Sequence, residues 1–148
     1  MNPEPTLHQT PTPTPTFGQR LRALDRPLLT ALVLVACLRP LFSIVGLNDV
    51  LGKPTTPLVL TALITLAWIL LLGLVRRVRE PLLLGVAAGM GYALATVALS
   101  AVLSPILTGE LQGPPAQPIA IVPIFLFNAG WGAVCGVCAL GLRRLRRG

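Results

Sequence analysis

PLLTALVLVACLRPLFSIVGL, residues 27–47, is apolar for long enough to cross a bilayer, yet Arg39 and Pro40 sit well inside it. At 1.5 Å per helical residue such a stretch reaches across a hydrocarbon core about 30 Å thick. Twelve of its residues are Leu, Ile, Val or Phe, and each favours insertion by roughly 0.3 to 0.6 kcal/mol near the bilayer centre. One arginine opposes that sum by only about 2.5 to 3.5 kcal/mol. The segment therefore inserts and carries its charge with it. A guanidinium at that depth marks a functional site or requires a named partner. Pro40 supplies no N–H to the carbonyl of Ala36 and crowds it, which predicts a kink.

Upstream of this span lie Arg20, Arg22 and Arg26, and before them a tail containing HQTPTPTPTFG (8–18). Residues 1–19 have the composition of a solvated, disordered and partly polyproline-II segment. His8 is alone in it, without metal-site spacing. Leu34-Val35-Ala36-Cys37 resembles the lipobox of bacterial lipoproteins, which implies a lipidated Cys37 as the new N-terminus. The long lead-in, and the apolar run that continues past Cys37 as LRPLFSIVGL, favour an uncleaved first span instead.

Downstream, GLNDVLGKPTTP (46–57) is a turn-rich loop, and a second apolar block covers about 57–75. RRVRE (76–80) is so short that spans two and three are expected to form a tight antiparallel hairpin. Glu80 before Pro81 is a strong helix start, with an acid at the positive dipole end and a proline where no N–H is needed. Span three covers about 81–103, SPILTGELQGPPAQP (104–118) is a loop, and span four covers about 118–142 before RRLRRG. With 53% hydrophobic and only 11% charged residues, against about 25% charged in soluble domains, the chain reads as an all-α membrane protein. Its expected fold is a four-transmembrane-helix antiparallel bundle over residues 20–148, behind a disordered N-terminal tail.

The formal charge of +7 does not point to nucleic acid, because the basic residues cap apolar blocks and no aromatic residues are interleaved with them. Eleven of the twelve are Arg, a bias of GC-rich bacterial genomes. Ten lie in three places, at 20–26, 76–79 and 143–147, while the other two loops hold only Lys53. With four spans those three places share one side, and the positive-inside rule puts both termini in the cytoplasm.

Lipid supplies no hydrophobic drive between helices, so small residues that permit close approach are the main packing signal. Gly85, Gly89, Ala93, Thr96 and Ser100 fall within roughly 80° on span three. Asn128, Gly132, Cys135, Gly136 and Ala139 share a similar face on span four. Each face contains a G-x-x-x-G, GVAAG at 85–89 and GAVCG at 132–136, so spans three and four are expected to pack there, with homodimerisation through one face as the rival. Counted from the outer ends of the spans, Arg39, Thr65 and Thr96 lie about 12 Å deep and Asn128 about 15 Å deep. Ser43 lies one turn from Arg39. These five polar residues form the candidate binding layer, with Arg39 either donating inward to Asn128 and the threonines or snorkelling outward toward Asp49 or Glu110. Trp68, Tyr92 and Trp131 sit mid-span, as packing residues or pocket walls.

Cys135-Gly136-Val137-Cys138 on the last of four spans is similar to the vitamin K epoxide reductase family, which implies thiol–quinone electron transfer. This pair, however, lies near the cytoplasmic end, and the family's shuttle cysteines have no counterpart, since the remaining cysteine, Cys37, lies in span one. Without relay thiols a redox cycle does not close. No Asp or Glu lies inside any span, which argues against proton-coupled cation export of the kind small four-span bacterial exporters perform. The glycine and arginine motifs of fluoride channels are also missing. The expectation is a non-enzymatic protein of the cytoplasmic membrane, with no cofactor and no metal, acting as a homo-oligomer or as an accessory subunit of a membrane complex. The alternative is a small transporter or channel for an anionic or neutral solute that uses Arg39 and Asn128. A thiol enzyme working through Cys135 and Cys138 is a minor third.

Overall fold

A computed structural model describes residues 15–44, 55–111, 113–146 and 148. Every regular element among them is helical. In chain order these are α1 (Phe17–Arg22), α2 (Arg26–Ile44), α3 (Thr55–Leu74), α4 (Pro81–Thr108) and α5 (Ile121–Leu145), with two single 3₁₀ turns, Pro114–Ala116 and Pro118–Ala120, leading into α5. Among the described residues three stretches, Thr55–Leu74, Pro81–Leu107 and Pro118–Leu145, are long and apolar enough to cross a membrane.

The helix ends follow from local chemistry. Asp25 precedes α2, and its carboxylate accepts the N–H of Leu28 at 3.3 Å, which satisfies one of the orphan donors of the first turn. α4 starts at Pro81 behind Glu80, where the missing proline N–H costs nothing. It runs to Thr108, past the boundary of about 103 expected from the proline-rich sequence, because Pro105 falls in the last turn and forfeits only one helical bond. The stop is Gly109, at φ 75°, a left-handed conformation that suits glycine. The expected tail to residue 19 also ends early. Residues 17–22 are helical, with the Gln19 side chain accepting the Thr16 N–H at 3.0 Å and Arg20 paired to Glu80 at 3.7 Å.

α4 and α5 form the largest interface. A side chain at Gly85 would strike the carbonyl of Gly132, one at Gly89 that of Asn128, and one at Gly136 would sit 2.6 Å from Leu82 Cα. Numbers rise along α4 as they fall along α5, so the two helices cross antiparallel with their backbones in contact. α3 packs on α5, and α2 packs on α4 and less extensively on α3. The tight side-by-side hairpin expected of spans two and three does not form: α3 and α4 touch only briefly. Each packs mainly on α5, and Arg143 of α5 occupies the crook of the 75–80 connection. The core gathers Leu32 and Ala36, Trp68 and Leu72, Val78, Leu84 and Ala88, and Cys135 and Ala139. Trp68 is tied in by its indole N–H, which donates to the Leu32 carbonyl at 3.0 Å.

Candidate functional site

All four long helices contribute walls to a cleft of about 230 Å³. α2 supplies Ala36 and Arg39, α4 supplies Tyr92, and α5 supplies Phe127, Asn128 and Trp131. α3 contributes Leu58, Thr61, Ile64, Thr65 and Trp68, a run at three- and four-residue spacing that places them on one helical face. The cleft is largely aromatic and aliphatic, with one cation and no carboxylate among the described residues of its lining.

Its polar groups are partly spoken for. Trp131 donates its indole N–H to Thr65 Oγ1 at 3.2 Å, Thr65 donates to the Thr61 carbonyl at 2.7 Å, and Thr61 donates to the Pro57 carbonyl at 2.7 Å. Asn128 Nδ2 donates to the Ile124 carbonyl at 2.8 Å, which leaves its side-chain oxygen as an acceptor. Phe127 and Trp131 stack one turn apart, with ring centres 6.2 Å from one another. The guanidinium of Arg39 is exposed and has neither an ion-pair nor a hydrogen-bond partner among the described residues. Pro40, which follows it in the same helix, returns no N–H to the carbonyl of Ala36 on the same wall.

Of the five residues of the expected polar layer, Arg39, Thr65 and Asn128 are brought to this cleft. Thr96 is not: its hydroxyl donates to the Tyr92 carbonyl of its own helix at 2.9 Å. The side chain of Ser43 and all of Asp49 lie outside the described residues. The direct hydrogen bonds expected from Arg39 to Asn128 and the threonines are not formed among the described contacts. Each of those side chains bonds its own helix instead, as hydroxyls and amides commonly do in apolar surroundings.

No family model, curated protein or solved structure matches the chain. What the cleft can do must come from its own side chains. A cation without a counter-charge among the described residues, beside a mainly apolar recess, attracts an anion whose body is apolar.

The remaining sequence candidates fall elsewhere. Gly85, Gly89, Gly132 and Gly136 are buried at the crossing of α4 and α5, and Ala93 is buried on α4. Cys135 is enclosed, Cys138 is exposed, and no disulfide joins them. Cys37 is buried within α2, which continues to Ile44. No group of His, Cys, Asp and Glu among the described residues could hold a metal.

Two features escaped the sequence. Thr61 and Leu58 were detectable, since both lie on the face that carries Thr65 and Trp68. Arg143 carried no such signal, being one of four arginines in the C-terminal run. Its Nε donates to the Gly73 carbonyl at 3.2 Å and its Nη1 to that of Val78 at 2.5 Å. Its Nη2 donates to Leu72 at 2.6 Å and to Val75 at 3.0 Å. One guanidinium thus satisfies the last carbonyls of α3 and the connection that follows.

Proposed function

We propose that the protein crosses the cytoplasmic membrane four times, with both termini in the cytoplasm, and that its cleft receives a small organic anion as the substrate site of a transporter. The fourth crossing is α2, whose 19 residues would reach about 28 Å. The topology rests on the basic residues at 20–26, 76–79 and 143–147. The observation that carries the function is Arg39, a cation without a carboxylate partner among the described residues, opening into a cleft walled by Trp68, Tyr92, Phe127 and Trp131. Size narrows the ligand. An apolar cavity of about 150 Å³ accommodates benzene, so 230 Å³ suits a small aromatic or branched carboxylate. Its carboxylate would meet Arg39 and its body the rings, with Asn128 and the Tyr92 hydroxyl beside them.

Action by association, as a homo-oligomer or an accessory subunit, was the leading expectation from a chain with so little outside the membrane. The glycine faces that motivated it are taken up between α4 and α5 of one chain, which moves the balance to the cleft.

Both tryptophans of the chain line the cleft, so intrinsic fluorescence reports its occupancy. Titration with benzoate is expected to quench the emission, and Arg39→Gln to weaken that binding by about ten- to a hundredfold, the worth of a charge-assisted hydrogen bond. In liposomes Arg39→Gln is expected to abolish benzoate uptake. Equal binding by Arg39→Gln and wild type would sink the proposal, and a variant that loses only self-association would restore the assembly role.

A further inference from the structure

At the far end of α3, a cavity of about 410 Å³ is lined by Gly73, Leu74, Val75, Arg76, Arg143 and Arg146. Three of its six described lining residues are arginines and none of the six is acidic. Arg143 is held in place by four carbonyls. The carbonyl dipoles hold the Arg143 guanidinium in place, so the cavity has a stationary cation in its wall. Arg76 and Arg146 are exposed and enter no ion pair or hydrogen bond through their side chains among the described residues. The nearby acid, Glu80, is engaged by Arg20 in a different recess. Leu74, at the same rim, leaves 45% of its surface exposed.

From these observations we infer that this cavity is a phosphate-binding site for an anionic amphiphile, with the phosphate held by Arg76 and Arg146 beside the fixed charge of Arg143 and an acyl chain along Leu74. Forked guanidinium groups match phosphate oxygens two at a time. The site lies at the ends of the membrane-crossing stretches Thr55–Leu74 and Pro118–Leu145, where a headgroup sits and where basic pockets between helices bind acidic lipids. Its volume exceeds that of the inner cleft and suits a glycerophosphate headgroup better than a single small anion. The inference does not depend on the transport proposal, because neither Arg76 nor Arg146 lines the inner cleft.

The test is native mass spectrometry of the full-length protein in detergent, titrated separately with phosphatidylglycerol, phosphatidylcholine and inorganic phosphate. The pocket variant is Arg76→Gln with Arg146→Gln. The control is Arg22→Gln with Arg26→Gln, which removes the same charge away from the cavity. Each arginine near an anionic headgroup is worth about fivefold in affinity, so the pocket variant should lose phosphatidylglycerol by about 25-fold and the control by less than threefold. Phosphatidylcholine binding should not change. Displacement of the lipid by millimolar inorganic phosphate, with the same loss in the pocket variant, would support the site with a soluble phosphate as its ligand. Equal losses in pocket and control variants, or equal binding of the two lipids by wild type, would overturn it. Both positions are exposed, and Arg146→Gln alone, with an expected fivefold loss, tests the site should the double variant fold poorly.

Discussion

Replacing Arg143 with methionine keeps a long apolar stem and removes all four hydrogen bonds to Leu72, Gly73, Val75 and Val78. Interhelical hydrogen bonds in membrane proteins average about 0.6 kcal/mol each, so four bonds set a floor near 2 kcal/mol. Bonds from a charged donor run higher, about 1.5 to 3 kcal/mol apiece, although bonds that share one guanidinium do not add in full. The loss of a cation at the negative end of α3 contributes in the same direction. The expected destabilisation is about 2 to 4 kcal/mol, or roughly a 30- to 700-fold rise in the unfolding constant. Reversible unfolding in mixed micelles containing dodecyl sulfate, followed by tryptophan fluorescence, measures it. Arg143→Lys keeps the charge but offers one compact ammonium in place of a fork, and should recover about half the loss. Arg144→Met, at an exposed neighbour, should cost less than about 0.5 kcal/mol. If Arg143→Met unfolds like wild type, the arginine does not hold α5 to the end of α3. If Arg143→Lys matches wild type, charge alone suffices and the forked geometry is irrelevant.

Two further substitutions probe the packing in the same assay. Gly136→Ala would place a methyl 2.6 Å from Leu82 Cα and 2.9 Å from the Pro81 carbonyl oxygen, where carbon contacts need about 3.5 Å or more. The helices must part by nearly 1 Å, at a cost of about 1 to 3 kcal/mol. Gly141→Ala meets nothing within 4 Å and should gain up to about 1 kcal/mol from helix propensity, so a similar loss at both positions would contradict the crossing. Trp68→Phe removes the buried bond to the Leu32 carbonyl and some ring volume. It should cost about 1 to 2 kcal/mol, and a neutral outcome would mean that the indole N–H has another partner.

Much of the helical architecture can be read from hydropathy, because in lipid every backbone polar group must find its partner within the helix. Proline and glycine then mark the ends, as Pro81 and Gly109 do. GVAAG and GAVCG stand out by spacing alone, and at those positions a Cβ would collide with the opposing backbone. Neighbour relations were harder to foresee. The brevity of RRVRE implied two adjacent helices, but a connection fixes only where two ends meet and leaves open how far the helices stay together. Here the crook is filled by Arg143, 65 residues further on. The side chain that holds it there reads, in a charge count, like the other arginines of the C-terminal run.

The cleft shows the same division between what spacing carries and what it does not. Depth along the span grouped Arg39, Thr65, Thr96 and Asn128, but depth fixes one coordinate, and the direction a residue faces fixes another. Thr96 shares a face with Gly85 and Gly89, and these are pressed against α5. Thr65 shares its face with Thr61 and Trp68, which line the cleft. The dipeptide Arg39-Pro40 combines both kinds of information. The arginine brings five N–H donors, and the proline withholds an N–H from Ala36, one turn away on the same wall. A donor without an acid among the described residues and an acceptor without its helical partner are both costly in an apolar setting, and each would gain from a ligand that brings the missing group. An anion with a hydrogen-bond donor of its own, such as a hydroxy acid, would satisfy the two together. If Arg39 acts alone, a hydroxy acid and its deoxy analogue should bind equally; if the Ala36 carbonyl takes part, the hydroxy acid should bind more tightly by about five- to tenfold, the worth of one neutral hydrogen bond.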